Sequence, residues 1–336
     1  MERIQNSLTV VIIGRNEGDR LKRCIESVRA MEPWPGTVEI VYVDSGSQDG
    51  SPEAAAKSGV RVLQVGREHP TAALGRNAGW RAAEGAEYIL FLDGDTVLAP
   101  GFARTALATM EGNPEAAAVW GHRREIRPEQ SIYTRVLDLD WIYPLGEFPF
   151  CGGDVLMRRA ALEAAGGYDP EMIAGEEPEL CRRMRALDWR ILHVDCAMTG
   201  HDLAMTRFGQ YWRRSERTGY ALAKVAERFR KTDDPMWLAG SRHNLRQGIF
   251  WMGTPLAAAA LAVGLRSWWP VGLWLAGFGA AAARSAWKAR WKSRSMWTLM
   301  LYGVHSHVQQ IPILMGQMRF YSDARRGRRR ELMEYR

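Results

Sequence analysis

The first two hundred residues alternate short apolar runs with segments of helical periodicity. The runs VVII, VEIVYV and YILFL are continuous rather than alternating, as expected for strands that are buried on both faces of a sheet. In the first helical segment, Leu21, Cys24, Ile25 and Val28 recur at spacings of three and four, which gives one buried face. The alternation predicts a mostly parallel, Rossmann-like α/β sheet flanked by helices. The predicted strands are 8–13, 38–43, 60–65 and 88–92, and the predicted helices are 17–31, 52–57 and 71–84.

Polar residues follow these predicted strands directly. Asn16 and Glu17 come after the first strand, Asp44 after the second, and Asp93 and Asp95 after the fourth. In open sheets of this kind, ligands bind beyond the carboxyl ends of the strands. We therefore expect a functional site at this edge of the sheet.

The sequence LDGDT places Asp93 and Asp95 on either side of Gly94. Two carboxylates at this spacing suit Mg²⁺ or Mn²⁺, and such an ion in turn holds a diphosphate. The same pattern is common in surface turns. Its context favours a site, because Asp44 is followed by a Ser-Gly-Ser turn that lets the backbone approach a ligand. Two further acids, Glu176 and Glu177, precede a predicted helix, although the helix dipole alone also favours acids there.

Two apolar stretches, 250–265 and 267–283, follow the α/β region and are separated by Arg266. Each is slightly shorter than the ~20 residues of a membrane-spanning helix, so a tight hairpin, tilted helices and a re-entrant pair all remain open. Seven tryptophans lie near the ends of these stretches, as in the aromatic belts of membrane proteins, and basic residues at both outer ends indicate that both face the cytoplasm. The alternative is a buried hairpin in a soluble domain. Segment 296–315 is more polar and is predicted to be an amphipathic helix that is interfacial or packed on protein.

Charge is distributed unevenly along the 336 residues. The formal net charge is +7, and twelve Lys or Arg against three acids lie between residues 284 and 336. A basic tail beside apolar segments suits an anionic membrane face. Nucleic acid is the alternative for the tail, but no zinc-finger, RNP or helix-turn-helix pattern supports it, and we predict no nucleic-acid partner. The predicted divisions are a catalytic domain at 1–234, a membrane-associated region at 235–316 and a basic tail at 317–336.

Five sequence blocks resemble, in order, those of the family 2 glycosyltransferases, which have the GT-A fold. They cover about residues 7 to 205 and are VVIIGRNEGDRLKRCIESV, VYVDSGSQDGS, GRNAGWRAAEGAEYILFLDGDT, FCGGDVLMRRAALEAAGGYDP and GEEPELCRRMRALDWRILHVD.

The resemblance implies roles for the residues that would bind a nucleotide-sugar donor. Asp44 matches the acid that bonds the donor's base, usually uracil, and Asn16 and Glu17 match the turn that flanks the nucleotide. Arg76 matches an arginine near the diphosphate, and the alternative is a surface arginine. Asp93 and Asp95 match the acids that hold the ribose and the metal respectively. His201 matches a late histidine that often joins the metal shell, and the alternative is a structural histidine.

The catalytic base is also implied by the resemblance. Glu177 matches its position, where the family more often has Asp. Because the extra methylene displaces the carboxylate, Glu176 remains an alternative. The base would deprotonate an acceptor hydroxyl as it attacks the anomeric carbon, which inverts the configuration in one step.

Processive synthases of this family carry Q-x-x-R-W, and here Gln210 and Arg213 match while Arg214 replaces the tryptophan. The partial match favours a single-addition enzyme over a processive one. Arg213, Arg214 and Arg217 are candidate diphosphate contacts, or solvated charges on an amphipathic helix.

The acceptor is the least readable partner of the predicted reaction. Residues 133–150 occupy the family's variable acceptor region, and membrane attachment favours a lipid-linked or glycan acceptor at the cytoplasmic leaflet of the cell inner membrane. The predicted function is transfer of a sugar from a nucleotide-diphosphate sugar, with uridine favoured, in envelope or exopolysaccharide synthesis. The alternatives are a processive synthase, a nucleotidyltransferase or a non-catalytic nucleotide-sugar binding protein.

Overall fold

The structure is a computed structural model that describes residues 6–66 and 70–327. The chain divides into two compact units, Met1–Ile126 with Trp141–Leu203, and Arg127–Asp140 with Ala204–Arg336. The predicted division at residue 234 stays a prediction, although helix 208–228 groups with the second unit.

Within the described ranges, the strands are β1 (Leu8–Gly14), β2 (Val38–Asp44), β3 (Arg61–Gln64), β4 (Tyr88–Asp93), β5 (Thr96–Leu98), β6 (Ala116–Glu125), β7 (Gly146–Glu147), β8 (Val155–Arg158) and β9 (Arg190–His201). The helices are α1 (Asp19–Arg29), α2 (Ser51–Lys57), α3 (Ala72–Ala82), α4 (Phe102–Glu111), α5 (Ile132–Asp138), α6 (Arg159–Ala165), α7 (Glu176–Arg185), α8 (Phe208–Arg228), α9 (Leu238–Gly264), α10 (Trp269–Lys288), α11 (Met296–Val308) and α12 (Gln310–Arg325).

One sheet organises the first unit. Its strand order is β3-β2-β1-β4-β8-β6-β9-β5, and β7 pairs with β9. The first four strands are parallel, while β8 runs antiparallel to both β4 and β6. The predicted α/β fold and all of its predicted elements are thus confirmed.

The register of the parallel strands brings the predicted acids together. The last residue of β1, Gly14, is opposite Asp44 on β2, and Ile13 is opposite Asp93 on β4. The two acids therefore flank the carboxyl end of β1. Helix α3 packs closely on the same strand. Gly79 of α3 permits this approach, because a Cβ at that position would overlap the side chain of Val11.

The apolar residues of the second unit are distributed over helices that differ in part from prediction. Helix α9 continues through Pro255. Among the helices that the structure describes, α9 is the one that is long and apolar enough to cross a membrane, judged by length and composition. The expected single helix over 296–315 is wrong: the chain forms α11 and α12, which meet at Gln309. Pro312 lies in the first turn of α12, where its missing N–H costs no helical hydrogen bond.

The predicted basic tail is helical at its start. Helix α12 extends to Arg325, and several of its residues are buried, so 317–325 belong to a packed helix. Residues 328–336 lie outside the described residues.

Close contact between α8 and α12 depends on glycine. A Cβ at Gly316 would overlap the carbonyl of Glu216, and one at Gly219 would overlap the carbonyl of Ile313.

We expect Gly316→Ala to destabilise the second unit by about 1–3 kcal/mol, because the two helices must separate. Thermal unfolding in detergent measures this. Gly240→Ala is the control, since a Cβ there meets open space and a helical Gly→Ala change is otherwise stabilising. Equal melting temperatures for the two variants would contradict the account.

Candidate functional site

The carboxylate of Asp44 shapes the turn after β2. Its Oδ1 accepts a hydrogen bond from the Tyr42 hydroxyl at 3.0 Å, and its Oδ2 accepts one from each of the backbone N–H groups of Gly46 and Ser47 at 2.9 Å. Burial raises the pKa of Tyr42, which keeps the phenol protonated as a donor. Asp44 itself is 2% exposed, so its contact with a donor base stays a prediction.

The turn after β1 is tied to this turn after β2. The backbone N–H of Asn16 donates to the Ser47 hydroxyl, and the N–H of Gln48 donates to the Asn16 side chain, both at 2.8 Å. Glu17 is buried and pairs with Arg20 at 3.1 Å. Its side chain also lies against Gly94, where a Cβ would come within 3.1 Å of Glu17 Cγ. The structure thus brings the three predicted strand-end segments together.

Asp95 and His201 face each other at the end of the sheet. Asp95 Oδ2 lies 3.2 Å from His201 Nε2, and both residues are buried. Glu125, which sequence reasoning missed, places its carboxylate 3.6 Å from the second ring nitrogen of His201, Nδ1. Burial opposes a charge on His201, yet Asp95 and Glu125 leave its pKa above the ordinary value.

These residues fit a divalent cation whose coordination is completed by a substrate. In the described ranges, no group of three or more His, Cys, Asp or Glu side chains is arranged to hold a metal by itself. Mg²⁺ and related ions are often held by one or two protein ligands together with substrate phosphates and water. If such an ion binds, Asp95 and His201 would offer it one oxygen and one nitrogen.

Asp93 is held by two arginines. Its Oδ1 accepts from Arg76 Nη2 at 3.0 Å, and its Oδ2 lies 3.3 Å from Arg123 Nη1. Arg123 also lies 3.3 Å from Asp154 and has the ring of Trp141 5.2 Å away. Each carboxylate oxygen of Asp93 is thus paired with one arginine.

Asp154 is a second residue that sequence reasoning missed. It is fully buried, its Oδ1 accepts the backbone N–H of Asp93 at 2.9 Å, and its Oδ2 accepts the Thr199 hydroxyl at 2.7 Å. Burial raises the pKa of Asp154, and Arg123 opposes that shift. Asp154 therefore fixes the end of β4 to β9. The available signal was its place in the block FCGGD, directly before a strand.

Arg76 joins the acidic triplet to the two candidate bases. Its side chain is 3% exposed, and Nη1 contacts Glu176 Oε1 at 2.9 Å and Glu177 Oε1 at 3.0 Å. Burial opposes the charge of Arg76, but Glu177 and Asp93 raise the pKa of its guanidinium well above its usual value. Arg76 is therefore a buried bridge and not a surface arginine.

The two glutamates lie in the first turn of α7, not before it. Burial, helped by the charge of Glu176, raises the pKa of Glu177 to about 7, and Arg76 opposes that shift. Glu176 is the more buried side chain of the two. A carboxylate with a pKa near neutrality is suited to accept a proton.

Gly153 makes room for this network. A Cβ there would overlap Arg76 Nη2 and come within 3.1 Å of both carboxylate oxygens of Asp93. We expect Gly153→Ala to displace Arg76 and to slow the predicted sugar transfer about tenfold or more, since small displacements of reacting or positioning groups are costly. Initial rates measure this effect. Gly152→Ala is the control, because a Cβ there meets no atom within 4 Å, and equal rates for the two variants would contradict the role of Gly153.

Arg213, Arg214 and Arg217 lie on α8 in the second unit. Their proposed contact with a diphosphate stays a prediction.

Comparisons with known proteins agree with this fold. The family described as "Glycosyl transferase family 2" matches residues 9–164, and "Glycosyl transferase family group 2" matches residues 88–284, more than half of the chain. A pre-mycofactocin glycosyltransferase of Mycobacterium tuberculosis is 25% identical over 250 residues, which are 69% of this chain and 50% of that protein. The chain spans between 30% and 50% of the length of the curated relatives it matches first.

Solved structures show the same fold. The mannosyltransferase PcManGT from Pyrobaculum calidifontis, in complex with GDP-Man and Mn²⁺, has a TM-score of 0.58 at 18% identity and covers 94% of this chain and 87% of its own. GalNAc-T7 with UDP, GalNAc and Mn²⁺ has a TM-score of 0.50 at 18% identity, over 73% of this chain and 55% of its own. With the family matched over more than half of its length, the chain belongs to glycosyl transferase family group 2 and has the GT-A fold.

Proposed function

We propose that the protein is an inverting, metal-dependent glycosyltransferase that adds a single sugar from a nucleoside-diphosphate donor, with uridine the favoured base. The acceptor is a lipid-linked or glycan molecule of envelope or exopolysaccharide synthesis, reached at the cytoplasmic face of the inner membrane. The observation that carries the proposal is the Arg76 bridge, which joins Asp93 of the triplet to Glu176 and Glu177. The residue proposed for the donor side and the two proposed for the base thus belong to one network of ion pairs.

In this mechanism Glu177 accepts the proton of the acceptor hydroxyl as its oxygen attacks the anomeric carbon. With a pKa of about 7, a large fraction of Glu177 is ionised at neutral pH. The carboxylate is also a stronger base than one with the ordinary pKa of a glutamate. Glu176 remains ion-paired with Arg76 and keeps the arginine in place. Arg76 and Arg123 fix Asp93 on the donor side.

Asp95 and His201 are the residues that would hold Mg²⁺ or Mn²⁺, with Asp93 beside them. A divalent cation supplies charge stabilisation to the departing nucleoside diphosphate. Two structural neighbours were solved in complexes that contain Mn²⁺, which supports this choice of cation. Asp44, Asn16 and Glu17, on the joined turns after β1 and β2, are the residues proposed to select the nucleotide.

A donor panel tests the proposed function. Nucleoside-diphosphate release is measured with UDP-, GDP- and other nucleotide sugars, in the presence of membrane lipid extract, with Mn²⁺ present or chelated. We expect release from one donor, mainly a UDP-sugar, that stops on chelation and returns on adding Mn²⁺. No release from any donor would contradict transferase activity, and release that persists after chelation would contradict the metal requirement.

A further inference from the structure

Helices α9 and α10 present large apolar side chains to their surroundings. Val263 is 79% exposed, Leu256 68% and Leu273 65%. Of the most apolar 18-residue window of α9, only 17% is buried, whereas the core helix of a soluble protein is mostly buried. Apolar side chains exposed along two consecutive helices indicate a surface that contacts another apolar phase.

The polar groups in this surface have partners within it. The Thr254 hydroxyl donates to the Phe250 carbonyl at 2.9 Å, and Trp274 Nε1 donates across from α10 to Thr254 Oγ1 at 3.0 Å. Trp251 Nε1 donates to Gln247 at 3.0 Å. In hydrocarbon such groups have no water to bond, so internal partners are required there but not at a wet surface.

The length of the hairpin matches a bilayer. Arg246 and Arg266 bracket the apolar part of α9 and are twenty residues apart, which is about 30 Å at ~1.5 Å per residue. On α10, which falls short of the apolar composition of α9, Trp269 and Trp287 are eighteen residues apart, or about 27 Å, so α10 is long enough to cross when it is paired with α9. The hydrocarbon core of a bilayer is about 30 Å thick.

The two ends of the hairpin carry interfacial residues. The connection between the helices contains Arg266 and Trp268, followed by Trp269, and these side chains are exposed. The other end carries a group of exposed tryptophans and a group of basic residues: Trp287, Trp291 and Trp297, and Arg284, Lys288, Arg290 and Arg294. Trp at both boundaries and Lys or Arg mainly at one is the distribution of a spanning segment with its basic end in the cytoplasm.

A hairpin that only dips into the bilayer would leave its tip in hydrocarbon. Arg266 would then be placed there, and a charged side chain in hydrocarbon is costly. Full crossing brings Arg266 and both tip tryptophans to the opposite polar interface and removes that cost.

We infer that the α9–α10 hairpin crosses a lipid bilayer completely, with its tip and its basic end on opposite faces. The inference deepens the membrane attachment in the proposed function and rests on it. It also decides between the spanning and re-entrant arrangements that the sequence leaves open.

Cysteine labelling tests the crossing in the full-length protein. Cys24, Cys151 and Cys181 are buried, so a Cys196→Ser background removes the one partly exposed thiol. Ser267→Cys places a thiol at the tip and Ser293→Cys places one at the basic end. A membrane-impermeant maleimide is added to sealed spheroplasts of a bacterial host, before and after detergent permeabilisation.

We expect Ser267→Cys to be labelled in sealed spheroplasts and Ser293→Cys only after permeabilisation. Labelling of both thiols under the same condition, whether from outside or only after permeabilisation, would overturn the crossing. Labelling of Ser293→Cys alone from outside would support the crossing but contradict the cytoplasmic placement in the proposed function. Nucleoside-diphosphate release by the same variants is measured in parallel, so a failure of the reaction is distinguished from a failure of the topology.

Discussion

Replacing Glu177 with Gln is expected to lower the rate of sugar transfer by about 10²–10⁴-fold, the usual contribution of a general base. The amide keeps the shape of the side chain but does not accept the proton of the acceptor hydroxyl. Donor affinity is expected to change little, because Asp93, Asp95 and the turns after β1 and β2 are untouched. Initial rates at saturating donor, with donor affinity from calorimetry, measure the two effects separately.

Glu176→Gln is the matched control for this prediction. It removes a carboxylate from the same helical turn and the same arginine. Because Asp93 and Glu177 still hold Arg76 in this variant, we expect transfer to slow less than tenfold. A wild-type rate for Glu177→Gln with unchanged donor affinity would contradict the assignment. A larger loss for Glu176→Gln than for Glu177→Gln would move the base to Glu176.

The pH dependence of the transfer rate is expected to follow the ionisation of Glu177. Because only the ionised carboxylate accepts a proton, kcat/KM for the acceptor should rise with pH and level off above about 7, the pKa of Glu177. This acidic limb should be absent from the residual activity of Glu177→Gln. A profile that is flat between pH 5 and 8 in the wild-type enzyme would contradict the role.

Replacing Arg76 with Met is expected to abolish measurable transfer and to destabilise the first unit by about 3–5 kcal/mol, because removal of one partner of a buried ion pair leaves uncompensated charge. Three carboxylates, those of Asp93, Glu176 and Glu177, lose their shared partner. Thermal unfolding measures the loss of stability, and the donor assay measures the loss of activity.

A second substitution separates this account from simple misfolding. Arg76→Met combined with Glu176→Gln removes one of the stranded charges, so its melting temperature should lie above that of Arg76→Met alone. Arg76→Lys keeps the charge but not the two-pronged geometry and should be more stable than Arg76→Met while still slow. If Arg76→Met melted at the wild-type temperature, the bridge would not be a buried ion-pair network.

Most of the first unit could be predicted from local pattern. β1, β2 and β4 are continuous apolar runs, and their ends were predicted to within one residue because a polar residue follows each run. The meeting of Asp44 and Asp93 beside β1 follows from parallel pairing, which the alternation of strands and helices implies. The burial of Arg76 does not follow, since nothing in GRNAG shows that three acids converge on it.

Asp154, Arg123 and Glu125 were missed for a topological reason. β8 lies between β4 and β6 although it follows both in sequence, and β9 then pairs with β6. This order brings Asp154 and Arg123 to Asp93 across 61 and 30 residues of chain. Hydrophobic periodicity shows which segments are strands but not the order in which they pair. The strand order is visible only in the sheet itself.

In the second unit, composition predicted where apolar helices occur but not how they divide. The segment 296–315 was expected to be one helix, yet α11 ends and α12 begins at Gln309, and α12 continues to Arg325 through residues rich in charge. The charged residues favour the prediction of a basic tail. The packing of α12 against α8 at Gly316, which makes this segment part of a helix, is not visible in the sequence.

The stereochemistry of the transferred sugar tests most directly whether one carboxylate base acts in one displacement. With the donor identified by the panel, the anomeric configuration of the first-formed product is read by proton NMR. A single displacement inverts the configuration, so we expect an α-linked donor to yield a β-linked product. A product that retains the donor's configuration would contradict it.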